Sequence, residues 1–81
     1  MRKQLDERPP LQRGLDAVPS LKAGSWESIE ALALLAIEAG GRPESASLLD
    51  AAHRAAAALR PGTWESVRAL ACLARADREV R

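Results

Sequence analysis

The sequence predicts an all-α protein: two tandem helix-turn-helix hairpins, four helices in all, arranged as a short solenoid or a four-helix bundle. Three observations carry this. The apolar residues are mainly Ala and Leu, with no Phe, no Tyr and two Trp, a composition that favours helix over strand. Residues 24–36, GSWESIEALALLA, return as residues 62–74, GTWESVRALACLA, with nine of the thirteen positions identical. Within each copy the apolar residues recur at the 3.6-residue spacing of a helix face.

The similarity continues upstream. Lys22 matches Arg60, Leu21 matches Leu59, Ala17 matches Ala55 and Leu11 matches Leu49. The unit is thus about 38 residues, roughly 5–42 and 43–80, a period typical of stacked helical hairpins. Each unit alone exposes an apolar face, and a second copy covers it. Residues 9–81 are expected to form one helical-repeat domain, behind a disordered or frayed stretch at 1–8. A chain of 81 residues is long enough for one small domain with a thin core.

The first helix is expected at about 10–21. Gly14 and Pro19 disfavour a helix interior there, so it should be short, kinked or partly 3₁₀. The second is expected at 25–39. Ser25 is its N-cap, Glu27 suits the positive helix end, and Gly24 allows the tight turn before it. Trp26, Ile29, Leu32, Ala33, Ala36 and Ile37 form its apolar face. In GGRPE, residues 40–44, Gly40 or Gly41 ends this helix and Pro43 suits the first turn of the next. The third helix, 43–59, carries Leu48, Leu49, Ala52, Ala55, Ala56 and Leu59 on one stripe. The fourth, 63–78, repeats the second: Thr63 caps it, and Trp64, Val67, Leu70, Ala71 and Ala74 are its copy of the apolar face. Each Trp is expected to cover a hairpin turn and pack on the preceding helix, near Leu21 or Leu59. The many alanines imply close helix–helix approach.

Twelve basic and eleven acidic residues are interspersed and give a net charge of +1. No clustered basic face marks a nucleic-acid footprint. No apolar run approaches the ~18–20 residues of a membrane span, and the charged N-terminus lacks the apolar core of a signal peptide. A cytoplasmic protein without membrane or nucleic-acid partners is expected. One cysteine, Cys72, excludes an intramolecular disulfide and a multi-cysteine zinc site. In its helical apolar run it reads as a small buried hydrophobe.

Little in the chain points to catalysis. His53 is the single histidine, and Asp50 at i−3 shares its side of the helix. No second His, Cys pair or Glu-x-x-His accompanies it, which argues against a metal site. No nucleophile elbow, P-loop or dinucleotide fingerprint occurs. The serines fall at caps or on solvent faces, leaving His53 without a nucleophile to activate. No catalytic residue, cofactor or metal ligand is assigned.

Leu32-Ala33, Ala36 and Gly40, repeated as Leu70-Ala71 and Ala74, with Pro61 before the second copy, resemble the tetratricopeptide repeat. That family's unit is a two-helix hairpin with a usual period of 34 residues. The resemblance covers about residues 24–78. It departs in its longer period, in Trp26 and Trp64 standing earlier than the family's aromatic, in Arg78 replacing a Gly, and in the lack of a second-helix aromatic. Stacking as in that family implies an inner surface lined by Glu27, Glu30, Leu34 and Ile37, continued by Glu65, Arg68, Cys72 and Arg75. The copies diverge on this surface: Glu30 becomes Arg68, Leu34 becomes Cys72 and Ile37 becomes Arg75. It is therefore the expected binding face for a protein or peptide partner.

The expected function is a non-catalytic protein–protein interaction module. The alternative is a structural subunit whose main partner is itself. The fourth helix has no following helix to cover it, and a homodimer is expected. A weaker third expectation is a small ligand held between the hairpins.

Overall fold

Two serine/threonine caps set the frame of the molecule. Ser25 is extended at φ −90° and ψ 148° and accepts a hydrogen bond from the Ser28 backbone N–H at 3.2 Å. Thr63 Oγ1 accepts from the Ser66 N–H at 3.1 Å. Each bond satisfies one of the four backbone donors that the start of a helix leaves without partners. The computed structural model describes residues 5–60 and 62–80. Residues 1–4, in the stretch expected to fray, and Pro61, expected to end a repeat hairpin, lie outside the described residues.

The order is α1 (Pro10–Ala17), a 3₁₀ turn (Val18–Ser20), α2 (Trp26–Glu38), α3 (Glu44–Ala57) and α4 (Trp64–Val80). The described residues contain no strand, and the chain is all-α. The first helix is short and runs into a 3₁₀ turn, as its Gly and Pro imply. Pro19 has no N–H for an α-type bond to Leu15, and the Val18 N–H donates to the Leu15 carbonyl over the tighter span. At the end of α2, Gly41 takes φ 88°, which a side chain would strain.

α2 is the central element. It packs extensively on both α3 and α4, while α3 and α4 share a smaller contact and α1 touches mainly α2. The buried apolar residues are Ile29, Leu32, Ala33, Ala36 and Ala39 around α2, Leu48, Leu49 and Ala52 on α3, and Ala69, Leu73 and Ala76 on α4. Six of these eleven are alanines. Small side chains let the backbones approach, and the few Ile and Leu supply most of the transfer free energy, about 1.5–3 kcal/mol each. Gly14 serves the same close packing: a Cβ there would lie 2.9 Å from Leu35 Cδ2. The Cα trace spans 45 × 30 × 17 Å, a flattened array.

Two groups of residues depart from the sequence expectation. Ser28, Ser45 and Ser66 are buried instead of facing solvent. Ser28 Oγ donates to the Lys22 carbonyl at 2.5 Å, and Ser66 Oγ donates to the Arg60 carbonyl at 2.8 Å. These equivalent bonds tie each helix start to the chain before it. The second departure is α4. Trp64, Val67 and Leu70 are 66%, 64% and 43% exposed, and Ala71 and Ala74 are exposed as well. The reason is geometric: the same face of α2 is covered by α3, and no described helix occupies the corresponding place on α4.

Candidate interaction surface

The seam between α2 and α4 brings equivalent positions of the two copies together. Glu30 and Arg68 stand 38 residues apart, which is one repeat. Arg68 Nε lies 3.1 Å from Glu30 Oε1, and its Nε and Nη2 donate to Glu30 Oε2 at 3.2 Å. Identical charges at this position would repel, and the change from Glu to Arg converts the contact into an ion pair. The Arg68 guanidinium also lies over both indoles, 5.1 Å from the Trp26 ring centre and 4.7 Å from that of Trp64. Both distances are within cation–π range. Trp26 is half-buried against the core. Trp64 is not the buried cover of a hairpin turn but an exposed flank of this cluster.

The sequence-assigned inner surface is therefore partly committed inside the molecule. Glu30 and Arg68 hold each other, and half-buried Cys72 places its Sγ 4.0 Å from Glu30 Oε1. Arg75 pairs with Glu79 at 3.3 Å, one turn along α4. Leu34 is 48% exposed and Glu27 is exposed. Ile37 and Glu65 are half-buried, and Ile37 packs against the core. The structure thus joins Glu30, Arg68 and Cys72 in one cluster, while Glu27, Leu34 and Arg75 remain on the outside.

The larger apolar feature lies elsewhere on α4. Val67, Ala71 and Ala74 follow at i, i+4 and i+7, with Leu70 beside them, so they share one face. Trp64 stands at the edge of that stripe and leaves on the order of 100–160 Å² in water, given two-thirds exposure of a large aromatic. The side of α4 adjoining Leu70 is occupied. Asp77 Oδ1 meets His53 Nε2 of α3 at 2.7 Å, and Val80 shares a cleft with Ala46 and Leu49. The sequence carried the signal for this stripe, since its α2 counterparts Ile29, Leu32, Ala33 and Ala36 are all buried.

Other chemistry is sparse. His53 pairs with Asp77 of α4. Both side chains are more than one-third exposed. Among the described residues no group of three or more His, Cys, Asp or Glu could hold a metal ion. A cleft of about 270 Å³ lies between the 3₁₀ turn, the start of α2 and the end of α3, lined by Val18, Leu21, Leu32, Ala55 and Ala58, with Lys22 and Arg54. This falls just short of the ~300–1,000 Å³ usual for small-molecule sites. Among the described residues no helix is long and apolar enough to cross a membrane. No family model, curated protein or solved structure matches the chain, so the likeness to tetratricopeptide repeats rests on the residues that carry it.

Proposed function

We propose that this protein is a non-catalytic interaction module, a short helical repeat of tetratricopeptide-like stacking that presents a helix-lined surface to a protein or peptide partner. The carrying observation is the exposed stripe of α4. Trp64, Val67 and Leu70 are each between 43% and 66% exposed, and they are adjacent on one helix. Scattered exposed apolar residues are ordinary, but contiguous ones mark interaction sites. The exposed inner-surface residues Glu27, Leu34 and Arg75 flank a second region that could bear on the same partner. The compartment that fits this reading is the cytoplasm.

The same stripe favours a second reading, a homodimer closed by two α4 helices. In an antiparallel two-fold pairing like flanks meet, and the flank of the stripe carries Arg68 and Arg75, each already paired with a glutamate of the same chain.

The test uses tagged parent protein beside two exposed-surface variants, Val67→Glu on the α4 stripe and Leu34→Glu on the inner surface. Capture from the source organism is compared by mass spectrometry, and solution masses are measured in parallel. A partner lost by either variant supports the module and identifies its face. A partner set unchanged by both variants, with a monomeric mass throughout, refutes it. A dimer that Val67→Glu converts to monomer selects the self-assembling subunit.

A further inference from the structure

The two copies of the repeat differ in what covers their second helices: the apolar face of α2 has α3 on it, and among the described residues no helix lies on that of α4. The covered case shows what the open one accepts. Leu32 of α2 shares a cleft with Ala51 and Ala55 of α3, and Ser45 Oγ donates to the Ala36 carbonyl at 3.1 Å. The counterparts of Leu32 and Ala36 are Leu70 and Ala74, both exposed. The two helices of the covered case run antiparallel. Ser45, at the start of α3, meets Ala36 near the end of α2, and Ala58 lies 3.4 Å from a Cβ built on Gly24 before α2 begins.

Charge then separates the open face from its template. At the far end of α2, the positions one repeat before Arg75 and Arg78 are Ile37 and Gly40. A helix laid on α4 in the manner of α3 starts beside these two arginines, of which Arg75 already pairs with Glu79 one turn along and Arg78 is exposed. Acidic groups suit both a helix start and an arginine flank. α3 already carries Glu44 in its first turn.

We propose that the α4 stripe is a docking site for an amphipathic helix of the α3 type: small residues and paired leucines on one face, an acidic first turn, and antiparallel placement on Val67, Leu70 and Ala74. The occupant is a segment of a partner protein. This inference rests on the interaction-module reading and names the partner of that module's α4 face.

The experiment titrates full-length protein with a labelled synthetic peptide of residues 43–60, followed by fluorescence anisotropy at low salt. The peptide binds the parent protein, and Val67→Glu in the protein abolishes binding while Leu34→Glu leaves it intact. Glu44→Lys in the peptide weakens binding about ten-fold at low salt. Arg78→Glu in the protein recovers most of that loss, and 0.5 M salt removes the difference, as screening requires. An isolated helix of this length is marginal in water, so affinities are modest and the fold-changes are the readout. Melting curves of each variant verify that the fold is intact. Failure of the peptide to bind at millimolar concentration overturns the inference, as does binding indifferent to Val67→Glu. A parent protein already dimeric through the stripe also overturns it, because the occupant is then a second copy. Stripe-dependent capture of a natural partner without peptide binding removes this inference alone and leaves the module reading standing.

Discussion

Removing the Arg68 side chain tests whether the seam between the two copies is a working contact. Arg68 is 46% exposed and Glu30 17% exposed as side chains, with 3.1 Å between Nε and Oε1. Two unit charges about 4 Å apart attract by about 1 kcal/mol in water and about 4 at an effective dielectric constant of 20. Exposure of the arginine and the entropy of holding it place the net ion-pair value at about 0.5–1 kcal/mol. Each indole contact at 4.7 and 5.1 Å adds about 0.5–1 kcal/mol at a partly exposed site. Arg68→Ala is therefore expected to cost about 2 kcal/mol. For a domain of this size that lowers Tm by about 8–16 °C, measured by circular dichroism.

The contributions are separable. A double-mutant cycle of Glu30→Gln and Arg68→Gln isolates the ion pair, with an expected coupling of about 0.5–1 kcal/mol that shrinks as salt rises. Arg68→Lys keeps the charge but loses the planar guanidinium, and should fall between parent and Arg68→Ala. Arg68→Glu sets two carboxylates together at the seam and should be the least stable of the series. An Arg68→Ala protein that melts with the parent, with additive single changes in the cycle, would show that the seam contact contributes nothing.

Three further outcomes follow from burial. Ala36→Leu overfills a position with no exposed surface and should cost about 1–3 kcal/mol, whereas Ala74→Leu, at the equivalent exposed position, should stay within about 0.5 kcal/mol; equal thermal shifts would contradict the covered-versus-open distinction. Trp26→Ala should destabilise by about 2–4 kcal/mol, and Trp64→Ala by about 1 kcal/mol because two-thirds of its surface is already in water; the reverse order in denaturant melts would count against the assignment. The Asp6 carboxyl lies below the usual carboxylate range because the Arg8 side chain, and then its backbone N–H, donate to it. Its lowered value means that the Asp6–Arg8 contact helps the folded state above the ordinary carboxylate pKa and fades as pH falls through the lowered one. NMR titration should give an Asp6 midpoint that rises toward the ordinary value in Arg8→Ala.

The sequence was most readable where a local rule decides the structure. Ser25 and Thr63 cap as the hydroxyl-before-helix pattern implies, and Pro19, without an N–H, sits where the α-helical ladder gives way to the 3₁₀ turn. The apolar face of α2 was legible from spacing alone, since Ile29, Leu32, Ala33 and Ala36 are all buried. Reading failed where burial depends on a neighbour the spacing does not encode. Trp64 and Val67 copy Trp26 and Ile29, yet their exposure follows from the place of α4 at the end of the array. Ser28 and Ser66 were hidden for a different reason. A serine at the third helical position reads as a surface residue unless its hydroxyl reaches a carbonyl six residues back, as both do. The candidate inner surface was partly legible, but the direct pairing of Glu30 with Arg68 needed the two helices side by side. Divergence at equivalent positions suggests an external partner, and at Glu30 and Arg68 it also makes a contact within the chain.

The light attachment of α1 has a consequence in time. No residue of α1 is buried, and its grip on α2 comes from half-buried Leu11 and Leu15 and the close passage of Gly14 over Leu35. Protein segments open independently when few apolar contacts hold them. The amides of α1 should therefore exchange with solvent deuterium through a local opening, orders of magnitude faster than those of α2, which exchange only when the whole array comes apart. Each such opening bares half-buried Leu35, which with the already exposed Glu38 shares a cleft with Pro10 and Leu11. For part of its life the molecule thus presents a second face of its central helix, one that a static view counts as covered.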